Sequence, residues 1–442
     1  MSTPPKYLLR SEPFGGILAD RFSTKTRFYS HSAFFIIEQI FRGKSDSRIM
    51  SALKKQFDVP DSTNLSEHIA ICRKELEEFE KYSERAPLVD DENESVPTLK
   101  GPLDLKIEIT RRCNLNCAHC YSASDEGSLE ELPWEYLKVL FEECAKDGIR
   151  FASITGGEPL LHSDFAKILS GVRSFSESLN VSTNGTLLTP DTARLIAETV
   201  DSVNISLDAP VAQLHDRFRS IAGAFDKALA AIDFLAGKST TVVVQTTVNR
   251  LNIDSLPELG EIIEKAGASV WSVRLPLPSG NYLKNKEMFL SPKEVREYEE
   301  KLVSLREHNF SMEVYSGIPV VWSRKEPYVY ENKPDRLISC AAGTIMAAVL
   351  ADRRITPCIL FSGTDFAEPM PDPGEFRSLW KNSSYFNKLR QIKLHDLPLC
   401  RSCSHFGDVC QTECRAKSYL FYGDIATPDP DCDFYLNSPT GS

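Results

Sequence analysis

Ten of the twelve cysteines fall into two groups with metal-ligand spacing. The first, Cys113, Cys117 and Cys120 in RRCNLNCAHCY, offers three thiolates on one short loop. Structural zinc sites are normally closed by four protein ligands. Three thiolates can instead hold three irons of a [4Fe-4S] cluster and leave the fourth iron to a small molecule. On the loop alone both metals stay open, but a centre left one ligand short is a place to do chemistry. The second group, Cys340, Cys358, Cys400, Cys403, Cys410, Cys414 and Cys432, packs seven thiols into the last quarter of the chain. Cys72 (IAICRKELEEF) and Cys144 (VLFEECAKDG) sit in helix-like stretches among apolar neighbours and read as small core residues.

These loops need a frame. LDLKIEI, residues 103–109, alternates like a strand and delivers the first cysteines from its C-terminal end. RFASIT, residues 150–155, is a second strand and runs into Gly156, Gly157, Glu158 and Pro159. Further strand-like runs lie near Val181, Ile205, Val244 and Val273, each followed by a helix-length segment, which makes six βα units. Alternating strands and helices predict a parallel sheet, whose ligands gather at the C-terminal strand ends where these motifs lie.

With CNLNCAHC, GGEP, the STNG segment Ser182 to Gly185 and the SLDA segment Ser206 to Ala209 in place, the chain resembles the radical S-adenosylmethionine (radical SAM) enzymes. The resemblance implies an α/β fold with a partial (β/α)6 TIM-type barrel, a cluster on Cys113, Cys117 and Cys120, and SAM chelating its open iron through amino and carboxylate groups. It places Gly156 and Gly157 where backbone approaches SAM closely, and Glu158 where a carboxylate accepts from the SAM ammonium. His119 takes the position of an aromatic residue bordering the adenine. Ser206 and Arg219, the latter in HDRFRSIAGAF, match positions near the SAM carboxylate and ribose, although Ser220 replaces the usual Gly after that Arg.

Disulfides compete as an explanation of the second group. Against them stand an N-terminus, MSTPPKYLLRSEPF, without the pattern of a secretion signal, the lack of a bilayer-length apolar run, and a companion loop that must stay reduced. A cytoplasmic, membrane-free protein is expected. The order of these cysteines resembles the SPASM extension of radical SAM peptide-modifying enzymes, which carries two auxiliary [4Fe-4S] clusters, for three in all. That resemblance assigns Cys400, Cys403, Cys410 and Cys432 to one cluster and Cys340, Cys358 and Cys414 to the other, whose fourth ligand is then an exchangeable group or another protein atom. Arg353 stands where a Gly usually precedes the second cysteine by five residues, and six residues rather than five separate Cys403 from Cys410.

Before the barrel, residues 6–29 read as three short strands, followed by Ser30 as a helix cap and by the helical runs HSAFFIIEQIFRG, DSRIMSALKKQF and LSEHIAICRKELEEFEKY. Three strands and three helices suggest a winged helix-turn-helix. Residues 1–85 hold 14 Lys and Arg against 12 Asp and Glu, and the whole chain is at −11, so there is no electrostatic footprint for nucleic acid. In this position the domain resembles the RiPP recognition element, which binds the leader of a ribosomally made precursor peptide by strand addition, here expected at the edge near Lys25 to Tyr29. Expected boundaries are 1–88 for this domain, 89–102 for a linker containing VDDENESVP, 103–309 for the radical SAM core and 310–442 for the SPASM domain.

Together the parts imply a peptide maturase of the streptide-cyclase or sactisynthase type. An electron from a flavodoxin- or ferredoxin-type donor cleaves SAM to a 5′-deoxyadenosyl radical, which takes a hydrogen from the peptide; a carbon-carbon or thioether crosslink follows, with the auxiliary clusters receiving an electron. Epimerisation, excision and sulfatase-type maturation are alternatives, although Ile359 stands where sulfatase-maturing relatives carry Asp. An iron-sulfur winged-helix regulator would leave the SAM motifs without purpose. No acid or base is assigned; Glu313, Tyr315 and Asp352 lie in regions facing the expected barrel mouth.

Overall fold

The computed structural model describes residues 7–20, 26–60, 62–81, 98–308, 310–316, 340–393, 396–402, 414–430 and 432, in two compact units, Met1–Lys100 and Gly101–Ser442. The expected linker tract VDDENESVP, Cys403 and Cys410 lie outside the described residues.

In the first unit β1 (Tyr7–Glu12), β2 (Gly15–Asp20) and β3 (Thr26–Ser30) form an antiparallel sheet in that order, followed by α1 (His31–Phe41), α2 (Asp46–Gln56) and α3 (Leu65–Lys81). Ser30 sits at the N-cap of α1 as expected, but its side chain makes no capping hydrogen bond. Leu18, Ile36, Ile37, Ile49, Leu53 and Ile69 close one core. Each such side chain contributes about 1.5–3 kcal/mol by leaving water. In this sheet β3 pairs only with β2, so its other edge carries no strand among the described residues.

The second unit opens with the βα alternation that the sequence pattern dictates: β4 (Asp104–Thr110), α4 (Trp134–Asp147), β5 (Phe151–Gly156), α5 (Phe165–Arg173), β6 (Ser178–Thr183), α6 (Pro190–Thr199), β7 (Ser202–Ser206), α7 (Ala212–Arg219), α8 (Ala224–Leu235), β8 (Thr241–Thr247), α9 (Leu256–Lys265) and β9 (Val270–Arg274). β4 to β9 are all parallel and adjacent in chain order. Along β6, β7 and β8 buried residues, mostly Leu, Val and Ile, alternate with less buried, mostly polar ones, so one face of these strands carries most of the core.

Six strands undercount the sheet. After α10 (Pro292–Glu307), β10 (Glu313–Ser316) adds a seventh parallel strand beside β9. At the other edge β11 (Met346–Val349) pairs parallel with β4, and β12 (Arg354–Thr356) and β13 (Glu368–Pro369) extend the sheet antiparallel to ten strands. The C-terminal cysteine region is therefore built directly onto the strand that carries the first cysteine loop. It continues with α11 (Phe376–Asn382), α12 (Ser384–Gln391), α13 (Pro398–Arg401) and α14 (Arg415–Tyr422) around a core of Phe361, Phe366, Leu389, Leu397 and Ala416. No described helix is long and apolar enough to cross a membrane.

Candidate active site

Cys113, Cys117 and Cys120 come together at the C-terminal end of β4, packed with Leu115 and Ile221. The Leu115 N–H donates to the Cys113 sulfur, whose thiol burial pushes up to about 12. Burial raises Cys117 as well, against the lowering effect of the Arg219 charge. Such thiols stay protonated at neutral pH until a metal displaces the proton. The loop backbone is clamped from two distant segments. Asn281 N–H donates to Cys120 O (2.8 Å) and its amide to Cys117 O (3.2 Å); Asn285 donates to Ala118 O (2.9 Å), and Ser279 Oγ to Tyr121 O (3.1 Å). From α7, Phe218 O accepts from Ala118 N–H (2.8 Å), and Ser220 Oγ donates to Asn116 O (2.7 Å). Gly280 fits this contact with φ +58°, and a Cβ there would lie 2.3 Å from Cys120 O.

Gly156 and Gly157 answer first to the chain itself. A Cβ on Gly156 would meet Thr110 O at 2.2 Å, and one on Gly157 would meet Arg112 O at 2.4 Å. The lost side chains let Gly157 N–H and Glu158 N–H donate to Thr110 O (2.8 Å) and Arg112 O (2.9 Å), which ties β5 to the start of the cysteine loop. Glu158 is fully buried, and burial raises its carboxyl pKa. Its oxygens accept from Leu160 N–H (3.1 Å), Thr183 Oγ1 (2.8 Å) and Asn184 N–H (2.8 Å). The carboxylate thus orders the turn after β6. Asn184 and Thr186 in that turn hydrogen-bond to Asn114 of the cysteine loop at 3.0 and 2.9 Å.

The remaining predicted residues line the ends of β7 and α7. Ser206 closes β7, half-buried and in register with Gln245. Arg219 is buried; its Nε and Nη2 donate to Asp208 Oδ2 at 2.7 and 2.6 Å, and its Nη1 lies 3.8 Å from Cys117 Sγ. Asp208, the unassigned member of SLDA, has no solvent exposure. Burial alone would raise its pKa, but Arg219 and the two neighbouring histidines outweigh that, and the net shift is downward. His119 is buried edge-on to Phe218, its Nε2 3.8 Å from Asp208 Oδ2 and its Nδ1 without a hydrogen-bond partner among the described residues. Burial holds His119 and His215 neutral, at about 4. An orphaned ring nitrogen beside a thiol trio is what a heterocyclic ligand would satisfy, so the residues fit a bound nucleotide.

In the second group Cys340, Cys358, Cys400 and Cys414 border one apolar core. Backbone N–H groups aim at the sulfurs: Ala342 and Arg415 at Cys340, Leu360 at Cys358, and Lys417 at Cys414. Amide donors directed at several clustered cysteine sulfurs suit thiolates carrying iron, because hydrogen bonds to sulfur stabilise their charge. Buried Asp429 accepts from Cys414 N–H (3.1 Å) and lies 3.8 Å from Lys417 Nζ, while Cys432 N–H donates to Asp429 O (2.9 Å). The ten described cysteines are all free thiols. Among the described residues no three His, Cys, Asp or Glu side chains stand close enough to hold a single metal ion. Cys72 and Cys144 are buried in helices, as small core residues are.

Of the catalytic candidates, Glu313 and Tyr315 lie on β10, and Asp352 is held by its neighbour Arg354 at 2.6 Å. Sequence reasoning missed Asp208, Ser279 and Asn281. Asp208 lay inside a quoted motif, whereas no motif reached the other two.

Residues 107–264 match the family model of the Radical SAM superfamily. It is 28% identical over 338 residues to the mycofactocin maturase MftC of Mycobacterium tuberculosis, covering 76% of this chain and 83% of that one. It is 29% identical over 344 residues to the AdoMet-dependent heme synthase of Methanosarcina barkeri, covering 74% and 94%. Among solved structures, Streptococcus suis SuiB bound to S-adenosylmethionine shares its fold with a TM-score of 0.70 at 16% identity, over 98% of this chain and 100% of that one. SuiB bound to precursor peptide SuiA gives 0.70 at 17%, over 97% and 98%.

Proposed function

We propose that this chain is a peptide maturase that uses SAM radical chemistry to install a carbon-carbon or thioether crosslink in a ribosomally made precursor. The observation that carries the reading is the thiol trio at the end of β4, with Arg219 Nη1 3.8 Å from Cys117 Sγ and the Nδ1 of adjacent His119 left without a partner among the described residues. Cys113, Cys117 and Cys120 would hold a [4Fe-4S] cluster, with SAM between His119, the Gly156–Glu158 turn, Ser206 and Arg219. When bound, these groups supply one-electron cleavage of SAM and with it a 5′-deoxyadenosyl radical. The chain's own part is to fix the loop through Asn281 and Ser220, to keep the site dry with buried Phe218, and to hold His119 neutral.

Peptide as substrate is supported by a maturase among the relatives and by likeness to a fold that binds a precursor peptide, with this chain matched almost end to end. We place the leader on the free edge of β3, where an added strand finds unpaired backbone groups. Residues 1–88 would be the recognition element, 89–102 a linker, 103–309 the radical SAM core and 310–442 a SPASM domain. In the last, Cys340, Cys358 and Cys414 would hold one auxiliary cluster and Cys400, Cys403, Cys410 and Cys432 another. The oxygen donor Asp429 stands beside the first of these sets, and iron counting in Asp429→Ala asks whether it serves as the fourth ligand. A flavodoxin or ferredoxin would deliver the electron in the cytoplasm.

The heme synthase relatives favour a second reading, the same core acting in heme synthesis. Coexpression with a small peptide encoded beside this chain separates the two. A product lighter by two hydrogens, with 5′-deoxyadenosine released under dithionite, supports crosslinking; cleavage stimulated by a porphyrin and not by peptide contradicts it.

A further inference from the structure

We infer that Asp208 and Arg219 form a buried bracket that sets the reduction potential of the cluster on Cys113, Cys117 and Cys120. The inference rests on the iron-sulfur reading of that loop. Asp208 leaves the end of β7 and reaches across to β8, where its Oδ1 accepts from Thr247 N–H at 3.0 Å. Its other oxygen takes two N–H groups of Arg219, at 2.7 and 2.6 Å. With two of its nitrogens fixed on one carboxylate oxygen, the planar guanidinium has little freedom left, and its Nη1 faces Cys117 Sγ at 3.8 Å.

Two histidines face the bracket. Asp208 N–H donates to His215 Nδ1 at 3.1 Å, so that nitrogen is the acceptor and the ring adds no proton of its own there. His119 Nε2 lies 3.8 Å from Asp208 Oδ2. Among the described residues, the two full charges close to the Cys117 sulfur are therefore those of Arg219 and Asp208. Both are buried, and charges in such surroundings act more strongly than in water.

A guanidinium beside a cluster thiolate stabilises the extra electron of the reduced state, both by its charge and by its N–H···S contact. The Asp208 anion opposes that effect while it orients the group that produces it. Removing the two members therefore moves the potential in opposite directions, which mere disruption of packing would not do. Arg219 thus acts on the cluster, a role distinct from the SAM carboxylate and ribose contact that the sequence resemblance implies, and Asp208 is a positioning residue.

The test is an EPR-monitored redox titration of the full-length holoprotein, following the reduced-cluster signal that responds to added SAM. Arg219→Gln is expected to lower the potential of that signal, and Asp208→Asn, which keeps the shape, to raise it. Arg219→Lys keeps the charge and should fall between Arg219→Gln and wild type. In the unsubstituted protein labelled with guanidino-15N arginine, pulsed EPR should detect nitrogen coupled to the cluster, and the coupling should vanish in Arg219→Lys. Potentials equal to wild type in Arg219→Lys and Asp208→Asn, shifts of one sign in both directions of substitution, or no nitrogen coupling in the unsubstituted protein would overturn the bracket. Loss of the SAM-responsive signal from wild type itself would sink the iron-sulfur reading instead.

Discussion

The two cysteine regions of the second unit solve the same problem by different means. The carbonyls of the Cys113 to Tyr121 loop are held by side chains and amides from remote parts of the chain, Ser220 after α7 and the Ser279–Asn285 segment after β9. The later cysteines are held locally. Cys340 O accepts from Thr344 Oγ1 (2.8 Å), Cys358 O from Phe361 N–H (3.0 Å), and Cys414 O from Ser418 N–H (3.2 Å). A loop clamped from two sides ties its geometry to the ends of α7 and β9, as a site that must dock a cofactor and a substrate requires. A cysteine that starts its own turn needs only its neighbours.

Substituting thiols is the hardest way to break this comparison. Cys117→Ala should remove about four irons per chain and abolish 5′-deoxyadenosine formation, whereas Cys414→Ala should lose a comparable amount of iron yet keep SAM cleavage while ending peptide product. Iron analysis with product chromatography reads both. Next in size is Gly157→Ala, whose new Cβ would lie 2.4 Å from the Arg112 carbonyl oxygen. A destabilisation on the order of 3 kcal/mol is expected in urea melts of the holoprotein, because the obstacle is backbone and cannot rotate away.

Acid sharpens the contrast at the first site. Burial holds His119 and His215 at about 4 in the folded chain. Unfolded histidines titrate near 6.5, so between that pH and about 4 the unfolded state binds protons that the folded state refuses. Stability that is complete above the unfolded value is lost as pH falls through this window, on the order of a few kcal/mol for the pair. Melts of the metal-free protein at pH 7.5 and 5.5 check it, and His215→Gln should flatten the dependence. The smallest effects separate remote from local clamps. Asn281→Ala should cost about 2 kcal/mol and hasten iron release from the first site only, whereas Thr344→Val should cost about 1 kcal/mol and disturb only the second.

What the sequence made legible was local. Period-two apolar runs gave β4 to β9, and three cysteines on one loop gave the first site; both depend on residues a few positions apart. The four-residue strands β10 and β11 escaped because EVYS and MAAV are too short to separate strand from helix by period. The two places where a glycine was expected are instructive. Ser220 has φ +59° and Arg353 φ +60°, the left-handed backbone that glycine adopts without strain. Ser220 offsets the strain of about 1–2 kcal/mol with its bond to Asn116 O, and Arg353 lies over the ring of Tyr136 at 5.6 Å. The backbone demand was thus readable from the pattern, but its compensation was not, since the partners lie 104 and 217 residues away. Asn281 and Asp208 were missed for the same reason. Their meaning is a contact across the fold, and no spacing announces it.

The most direct measurement is Mössbauer spectroscopy of 57Fe-loaded protein carrying only the Cys113, Cys117 and Cys120 site, with and without SAM. A single iron should move to larger isomer shift and quadrupole splitting on binding, the mark of one corner gaining nitrogen and oxygen ligands. Four equivalent irons indifferent to SAM, or zinc in their place, would contradict the account.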